Sequence, residues 1–272
     1  MGSKHSAPTW KMFVILSGRG GVGKTLLAML LTVALLIRNR TPRIIEADLQ
    51  KRLDLLFPDR VTTIDIDQLE ALEEDPLALA RVFAAIPQAA REAGAASCAD
   101  VIVDTAATWH QPIIKYAAEI RLAETVKQSD GALVFLVPFT ADADAILLAV
   151  DTAQKIEQLH PKTELVFVIN EHPQKPRFDL PALKSVQNEL KRLFTDHRQI
   201  RLQAIHEKIW GNFERANLSV LDVSIADPAD LIDVAKADVD TVAMMQGRVE
   251  AWTNTVFKEF EPLLDFRDES KK

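Results

Sequence analysis

Residues 18–25 could bind a phosphate group, because their types and spacing match a phosphate-binding loop. The segment reads Gly-Arg-Gly-Gly-Val-Gly-Lys-Thr and fits the pattern G-x-x-x-x-G-K-[ST]. Its glycines leave backbone N–H groups open to an anion, and the start of a following helix adds a positive field. Lys24 would reach the β- and γ-phosphates of a nucleotide, and the Thr25 hydroxyl would bind Mg²⁺. The predicted nucleotide-binding residues here are Gly18, Arg19, Gly20, Gly21, Val22, Gly23, Lys24, Thr25 and Leu26.

Three more polar side chains follow apolar, strand-like runs and could complete this site. Asp104 stands where a phosphate-loop ATPase carries the aspartate that holds Mg²⁺. Asp48 could orient or deprotonate the attacking water and could also contact the metal. Asn170 ends a further apolar run, and the carboxyl ends of parallel strands form the ligand-binding edge of such sheets. We therefore expect all three to meet the phosphate loop, although a simple turn or capping role is the alternative for both carboxylates.

The elements that must position these residues alternate between strands and helices. The apolar run 12–16 precedes the loop, and the apolar run 26–37 contains no Gly or Pro, as in a buried helix. The predicted strands are 11–17, 43–46, 101–104, 131–137 (stopped by Pro138), 165–170 and 200–204. The predicted helices are 24–38, 76–94 with a break at Pro87, 112–129, 142–160, 181–194 and about 225–260, with 53–63 irregular. This order predicts an α/β fold with a single doubly wound, mostly parallel sheet and helices on both faces.

Length and composition favour one domain. The chain has 272 residues, of which 48% are hydrophobic, enough for a substantial core. We expect a flexible N-terminal arm at 1–10, one domain over 11–265 and a flexible tail at 266–272. The single cysteine, Cys98, excludes an internal disulfide and a paired-cysteine metal site. With no signal peptide and no apolar run of the ~20 residues that span a bilayer, we expect a cytoplasmic protein without a transmembrane segment.

The motifs and their order resemble the ParA/MinD family of deviant Walker A ATPases. The matching segments are 18–25 (the K-G-G-V-G-K-T box), 46–50 (the D-x-D-P-Q switch), 101–105 (V-I-I-D-T-P), 167–170 (the strand whose asparagine faces adenine) and 205–220 (the late loop and helix). The resemblance covers about residues 11–225. It implies a P-loop NTPase fold of the SIMIBI type with ATP and Mg²⁺ as cofactors, Asn170 facing adenine and a metal site of Thr25, Asp48 and Asp104. It also implies slow hydrolysis by a homodimer that holds ATP between its subunits.

The resemblance assigns catalytic roles to Lys24, Asp48 and Arg19. Arg19 replaces the family's signature lysine, which reaches the phosphates bound by the other subunit. Arginine keeps the charge and can fork onto phosphate oxygens, but its geometry differs from that of lysine. Glu46 and Leu49 also replace an aspartate and a proline of the switch. These departures indicate a divergent branch, and the TraL/StbB type of conjugative plasmids is the relative that the sequence suggests.

Members of this family bind a surface as ATP-bound dimers and leave it when an adaptor stimulates hydrolysis. We therefore expect this chain to position or segregate DNA, in partition or conjugation, or a protein cargo. Lys184, Lys191 and Arg192 are predicted to share a helix face that could bind DNA, and hence the nucleoid, without sequence preference. A solvated helix face is the alternative, because the net charge of −7 gives no general attraction to DNA. The apolar spacing near the C-terminus has acidic rather than basic neighbours, which favours packing on the core or a partner over membrane binding.

Other functions of related ATPases fit the sequence less well. An iron–sulfur carrier ATPase would need a cysteine pair, and a tyrosine kinase a tyrosine cluster, whereas the chain has one cysteine and one tyrosine. A nucleotide-dependent binding module without turnover is the remaining alternative, because Arg19 and Glu46 alter the hydrolytic apparatus. His110, after the Asp104 strand, could sense the nucleotide or could be an ordinary loop histidine.

Overall fold

The computed structural model describes residues 8–48, 50–64, 77–96 and 99–266. Most of the predicted arm and tail, together with Leu49 and Cys98, lie outside these ranges. The strands of the described chain are β1 Trp10–Ile15, β2 Arg43–Ala47, β3 Val61–Thr63, β4 Val101–Thr105, β5 Gly131–Phe139, β6 Glu164–Asn170 and β7 Arg198–Leu202. They form one sheet in the order β3-β2-β4-β1-β5-β6-β7, and every neighbouring pair is parallel.

Helices cover both faces of this sheet. The α-helices of the described residues are α1 Lys24–Ile37, α2 Arg52–Leu56, α3 Ala78–Val82, α4 Ala85–Ala95, α5 His110–Glu119, α6 Leu122–Gln128, α7 Ala143–Leu159, α8 Gln187–Asp196, α9 Glu207–Arg215, α10 Val220–Ile225, α11 Ile232–Ala235 and α12 Val239–Phe260. Short 3₁₀ turns lie at Ala107–Trp109, Pro181–Leu183 and Pro228–Leu231. None of the described helices has both the length and the apolar character needed to cross a bilayer.

Successive side chains of β1 enter two separate cores, as the alternation of a strand requires. Met12 and Val14 join the core against α4 to α8. Phe13 and Ile15 join the core that contains α1, α9, α10 and α12. The predicted α/β class, with a doubly wound parallel sheet and helices on both faces, is therefore confirmed, and so is the packing of the C-terminal apolar stripe on the core.

The central strand β1 marks the position of the ligand site. Its neighbours are β4 on one side and β5 on the other, so the chain order reverses here. In open α/β sheets a ligand crevice lies at such a switch point, beyond the carboxyl ends of the strands. The phosphate loop follows β1 directly and therefore opens into this crevice.

Two short elements occupy the stretch 53–63, which was predicted to be irregular. Helix α2 and strand β3 lie there, and Val61 of β3 pairs with Ile44 of β2. This prediction was wrong because β3 is an edge strand of three residues whose side chains are only partly buried or exposed. Such a strand lacks the apolar run by which the buried strands were found.

Proline had less effect on two elements than was predicted. Strand β5 continues through Pro138 to Phe139. The carbonyl of Leu136 accepts a hydrogen bond from the N–H of Leu16, which follows the last residue of β1. The nitrogen of Pro138 lies on the same side of β5, at a level where β1 has ended. Likewise Pro87 lies in the first turn of α4, where no N–H is needed, and the break falls at Phe83 and Ala84 instead.

Three predicted helices are shorter or divided. The stretch 112–129 is two helices separated at Arg121, whose φ is 51°. The helix predicted at 181–194 begins at Gln187, after a 3₁₀ turn. The long C-terminal helix begins at Val239 rather than near residue 225, because Pro228 and the left-handed Lys236 interrupt the chain before it.

The buried carboxylate of Asp100 links the amino ends of the strands to the C-terminal segment. Asp100 is 0% exposed and accepts hydrogen bonds from the Lys11 amide (2.7 Å) and the Arg40 guanidinium. Arg40 lies 3.9 Å from the centre of the Phe266 ring, and the Lys11 ammonium donates to the Leu263 carbonyl at 2.7 Å.

We expect Asp100→Ala to lower the free energy of unfolding by about 3 kcal/mol, because it leaves a partly buried guanidinium and a buried amide without their carboxylate. Urea unfolding would measure this change. Asp196→Ala removes an exposed partner of Arg192 and should cost less than about 1 kcal/mol. Equal losses in the two variants would contradict the prediction.

Candidate nucleotide-binding site

The phosphate loop joins β1 to α1 with two glycines in the left-handed region. Gly21 has φ 73° and Gly23 has φ 90°, a conformation that other residues rarely adopt. Gly23 is also the N-cap of α1, and no side chain caps the first turn of this helix. The free amides and the positive end of α1 are therefore open to an anion.

A cleft of about 640 Å³ lies above the loop at the carboxyl edge of the sheet, within the usual size range of ligand sites. Residues from several elements line it, including Lys24, Thr25, Asp48, Ala107, Asn170 and Trp210. The structure thus brings the phosphate loop together with both predicted carboxylate positions and the predicted asparagine. Asp104 lies directly below Thr25 and is fully buried.

Lys24 is a buried cation with spare donors. Its ammonium donates to the Arg19 carbonyl at 3.1 Å. Burial lowers the pKa of Lys24, while the charges of Asp104 and Asp48 act in the opposite direction. An ammonium has three N–H donors, so Lys24 can bind a phosphate without losing its contact to the loop.

Thr25 and Asp104 form the floor of the cleft. The Thr25 hydroxyl donates to Oδ2 of Asp104 at 2.8 Å, while Oδ1 of Asp104 is buried and has no partner in the described chain. Burial raises the pKa of Asp104 to about 7, against the opposing effects of the Thr25 hydrogen bond and the Lys24 charge.

An unpaired carboxylate oxygen beside a hydroxyl fits Mg²⁺, which prefers oxygen ligands and takes only one or two of them from the protein. Among the described residues there is no cluster of three or more His, Cys, Asp or Glu side chains that could hold a metal. The donor set therefore fits a magnesium ion that completes its coordination with phosphate and water. Mg²⁺ in such a site neutralises charge on the phosphates.

Asp48 lines the cleft, and its charge acts on both Lys24 and Asp104. Its Oδ1 accepts the backbone N–H of Gln50 at 3.0 Å, which shapes the turn after β2. Glu46, by contrast, is 1% exposed and accepts the N–H groups of Leu53 (2.8 Å) and Asp54 (3.2 Å). The longer side chain at this switch position therefore caps α2, a role that the sequence did not reveal.

Arg19 and Asn170 both contact their own chain. The Arg19 guanidinium lies 2.9 Å from the Asp142 carboxylate, with side chains 48% and 39% exposed. The Asn170 amide donates to the Val22 carbonyl at 3.1 Å and accepts from the His172 N–H at 3.0 Å. A Cβ on Gly23 would lie 2.6 Å from this amide, so Asn170 also supports the phosphate loop.

The segment 205–220, matched by resemblance to the late loop and helix, contains α9 and forms one side of the cleft, but its individual contacts were not predicted. Arg52 forms an ion pair with Glu214 at 3.0 Å and donates to its carbonyl at 2.9 Å, which links the segment after β2 to α9. Trp210 and Trp252 line the same region, with ring centres 6.1 Å apart. Two of the four tryptophans of the chain in late helices were the available signal.

The predicted basic helix face does not exist in the structure. Lys184 follows a 3₁₀ turn and lies before α8, so it shares no helix with Lys191. Arg192 is bonded to the carboxylates of Glu157, Glu189 and Asp196. The prediction of one helix face was wrong because α8 begins six residues later than expected and its arginine is already paired.

No family model and no curated protein matches the chain. Among solved structures it resembles the MinC:MinD cell division protein complex from Aquifex aeolicus, at 14% identity over 87% of this chain and 96% of that chain, with a TM-score of 0.49. It also resembles MinD with Mg-ADP from Pyrococcus horikoshii OT3, at 11% identity over 96% and 99% of the chains, with a TM-score of 0.47. A Borrelia burgdorferi B31 protein assigned to plasmid partition and bound to AMPPNP matches at 15% identity over 86% and 97%, with a TM-score of 0.44.

The TraL/StbB branch stays a prediction. In the order of its nucleotide-site motifs and in its fold, the chain resembles the ParA/MinD family of ATPases.

Proposed function

We propose that the protein is a Mg²⁺-dependent ATPase of the ParA/MinD type that works as a slow dimerisation switch. The observation that carries this proposal is the Thr25–Asp104 pair. It offers a hydroxyl and an unpaired buried carboxylate oxygen beneath an uncapped helix start and the Lys24 ammonium. These are the donors that a magnesium–triphosphate complex requires.

In this proposal each residue has one role. Lys24 and the loop amides bind the β- and γ-phosphates, and Thr25 and Asp104 hold the metal. Asp48 orients the attacking water and accepts its proton, so that the γ-phosphate leaves as inorganic phosphate and ADP remains. Arg19 of the partner subunit stabilises the charge that develops on the transferred phosphoryl group.

The switch would position or segregate DNA or a protein cargo in the cytoplasm, with an adaptor that stimulates turnover. This part rests on the resemblance to the ParA/MinD family. Any DNA contact through Lys184 and Lys191 must do without Arg192, because three carboxylates already neutralise that side chain.

Light scattering with ATP and Mg²⁺ tests the switch. We expect Asp48→Ala to bind ATP, to lose about 10²-fold or more in turnover because the water has no base, and to accumulate as a dimer. Arg19→Ala should bind ATP and stay monomeric, because the charge offered to the other subunit is gone. Arg177→Ala, which removes an exposed arginine paired within its loop to Asp179, is the control and should behave as the wild type. Normal turnover in Asp48→Ala would contradict its assigned role.

A nucleotide-dependent binding module without turnover is the second candidate. The Arg19–Asp142 ion pair favours it, because Arg19 must leave this contact before it can reach another subunit. That candidate predicts ATP binding by the wild type and all three variants, with every one of them monomeric and inactive.

A further inference from the structure

His110 stands at the start of α5 and lies against the phosphate loop. Its Nδ1 is 2.7 Å from the Ala107 carbonyl oxygen, which can only accept, so Nδ1 carries the proton. Burial lowers the pKa of His110, and the neutral ring therefore has a free electron pair on Nε2. This Nε2 is buried and has no partner among the described residues.

The other edge of the ring lies against Gly18, the first glycine of the phosphate motif. A Cβ on Gly18 would lie 2.9 Å from Cε1 and 3.0 Å from Nε2 of His110. Unlike Gly21 and Gly23, Gly18 does not have a φ in the left-handed region. Its backbone could therefore accept alanine, and the obstacle to a side chain is the imidazole ring.

His110 thus connects two walls of the cleft. The Nδ1 atom of His110 contacts the carbonyl of Ala107, which lines the cleft after β4. The Cε1–Nε2 edge of the ring lies against Gly18 and limits how closely the loop can approach it. We propose that His110 is a positioning residue that fixes the phosphate loop relative to the Ala107 segment, with Nε2 as an acceptor for a loop N–H when nucleotide binds. This proposal rests on the nucleotide-binding function given above.

A purely space-filling ring would give the same packing, so the test must separate bulk from hydrogen bonding. His110→Phe keeps an aromatic ring and removes both nitrogens. His110→Gln places an amide oxygen near the position of Nε2. We expect the dissociation constant for a fluorescent ATP analogue with Mg²⁺ to rise roughly tenfold in His110→Phe, as for a lost buried hydrogen bond, and to recover in His110→Gln.

The close approach at Gly18 gives a second, independent test by a double-mutant cycle. Gly18→Ala should weaken binding of the analogue by roughly tenfold or more, because a displaced loop loses its fit to the phosphates. Gly18→Ala/His110→Ala should lose less than the sum of the losses in Gly18→Ala and His110→Ala, because the double variant lacks the atoms that the new Cβ meets. Gly247→Ala is the matched glycine control, since a Cβ there meets nothing within 4 Å.

Each outcome either supports the positioning role or overturns it. If the wild type binds no nucleotide, the proposed function fails, and the positioning role fails with it. If the wild type binds and His110→Phe binds equally well, the ring only fills space and the proposal is overturned. It is also overturned if the losses of Gly18→Ala and His110→Ala simply add in Gly18→Ala/His110→Ala, because the new Cβ then does not meet the ring. Recovery in His110→Gln together with a less-than-additive loss in the double variant supports it.

Discussion

Lys24→Ala is expected to lower the affinity for Mg²⁺–ATP by about 10²- to 10³-fold, as measured by titration with a fluorescent analogue. Lys24 is 7% exposed and lines the cleft from the start of α1. A phosphate bound there would be a desolvated anion, and loss of its buried cationic partner costs about 3–4 kcal/mol, which is a factor of about 10²–10³. The positive end of α1 and the loop amides remain, so weak binding should persist.

The same substitution should leave the folded protein intact. In the absence of nucleotide Lys24 is a buried ammonium whose pKa is lowered by burial, so its removal relieves desolvation rather than breaking a strong contact. We therefore expect an unchanged or higher midpoint of thermal unfolding. Lys155→Ala, which removes a half-exposed lysine paired with Asp151, is the matched control. If Lys24→Ala binds within a few-fold of this control, Lys24 does not bind phosphate.

The parts of the site that the sequence predicted are those determined by local residues. The phosphate loop is eight consecutive residues between a buried strand and a buried helix, and its conformation follows from its own glycines. Asp48, Asp104 and Asn170 were found because each follows an apolar strand, and parallel strands bring their ends to one edge. Local pattern was sufficient there.

Most of the site and surface contacts that the sequence did not predict join different helices and strands. Arg192 looked like a free cation, but it pairs with Glu157, 35 residues away on α7. It also pairs with Glu189 and Asp196 at helical spacing on α8, a local signal that was overlooked. Glu46 looked like an altered switch residue, whereas it caps α2. No spacing rule within one helix or strand reports the contacts of Glu157 and Glu46, because the packing of α7 on α8 and of β2 on α2 creates them.

Asp104→Asn should stabilise the protein without nucleotide at about pH 8, by roughly 2–4 kcal/mol. The pKa of Asp104 is raised from 3.8 to about 7 by burial, so the folded state holds a proton that the unfolded state releases. This bound proton stabilises the folded protein fully below pH 3.8, the pKa of Asp104 in the unfolded chain. The stabilisation is lost as the pH rises to about 7. Asparagine is neutral throughout and avoids this loss. Urea unfolding at about pH 5 and pH 8 would measure the difference between the variants.

Magnesium with nucleotide should favour the wild type over Asp104→Asn. Mg²⁺ with nucleotide stabilises the ionised form of Asp104, so the wild type should gain stability from the complex, by RT ln(1 + [L]/Kd), while Asp104→Asn gains little beyond what the nucleotide gives alone. The variant would therefore be more stable in the absence of ligand and less responsive to metal. If Asp104→Asn is destabilised at about pH 8 without ligand, or gains as much from Mg²⁺ as the wild type, then Oδ1 of Asp104 is satisfied by something other than a metal. In that case the observation on which the ATPase proposal rests would no longer support it.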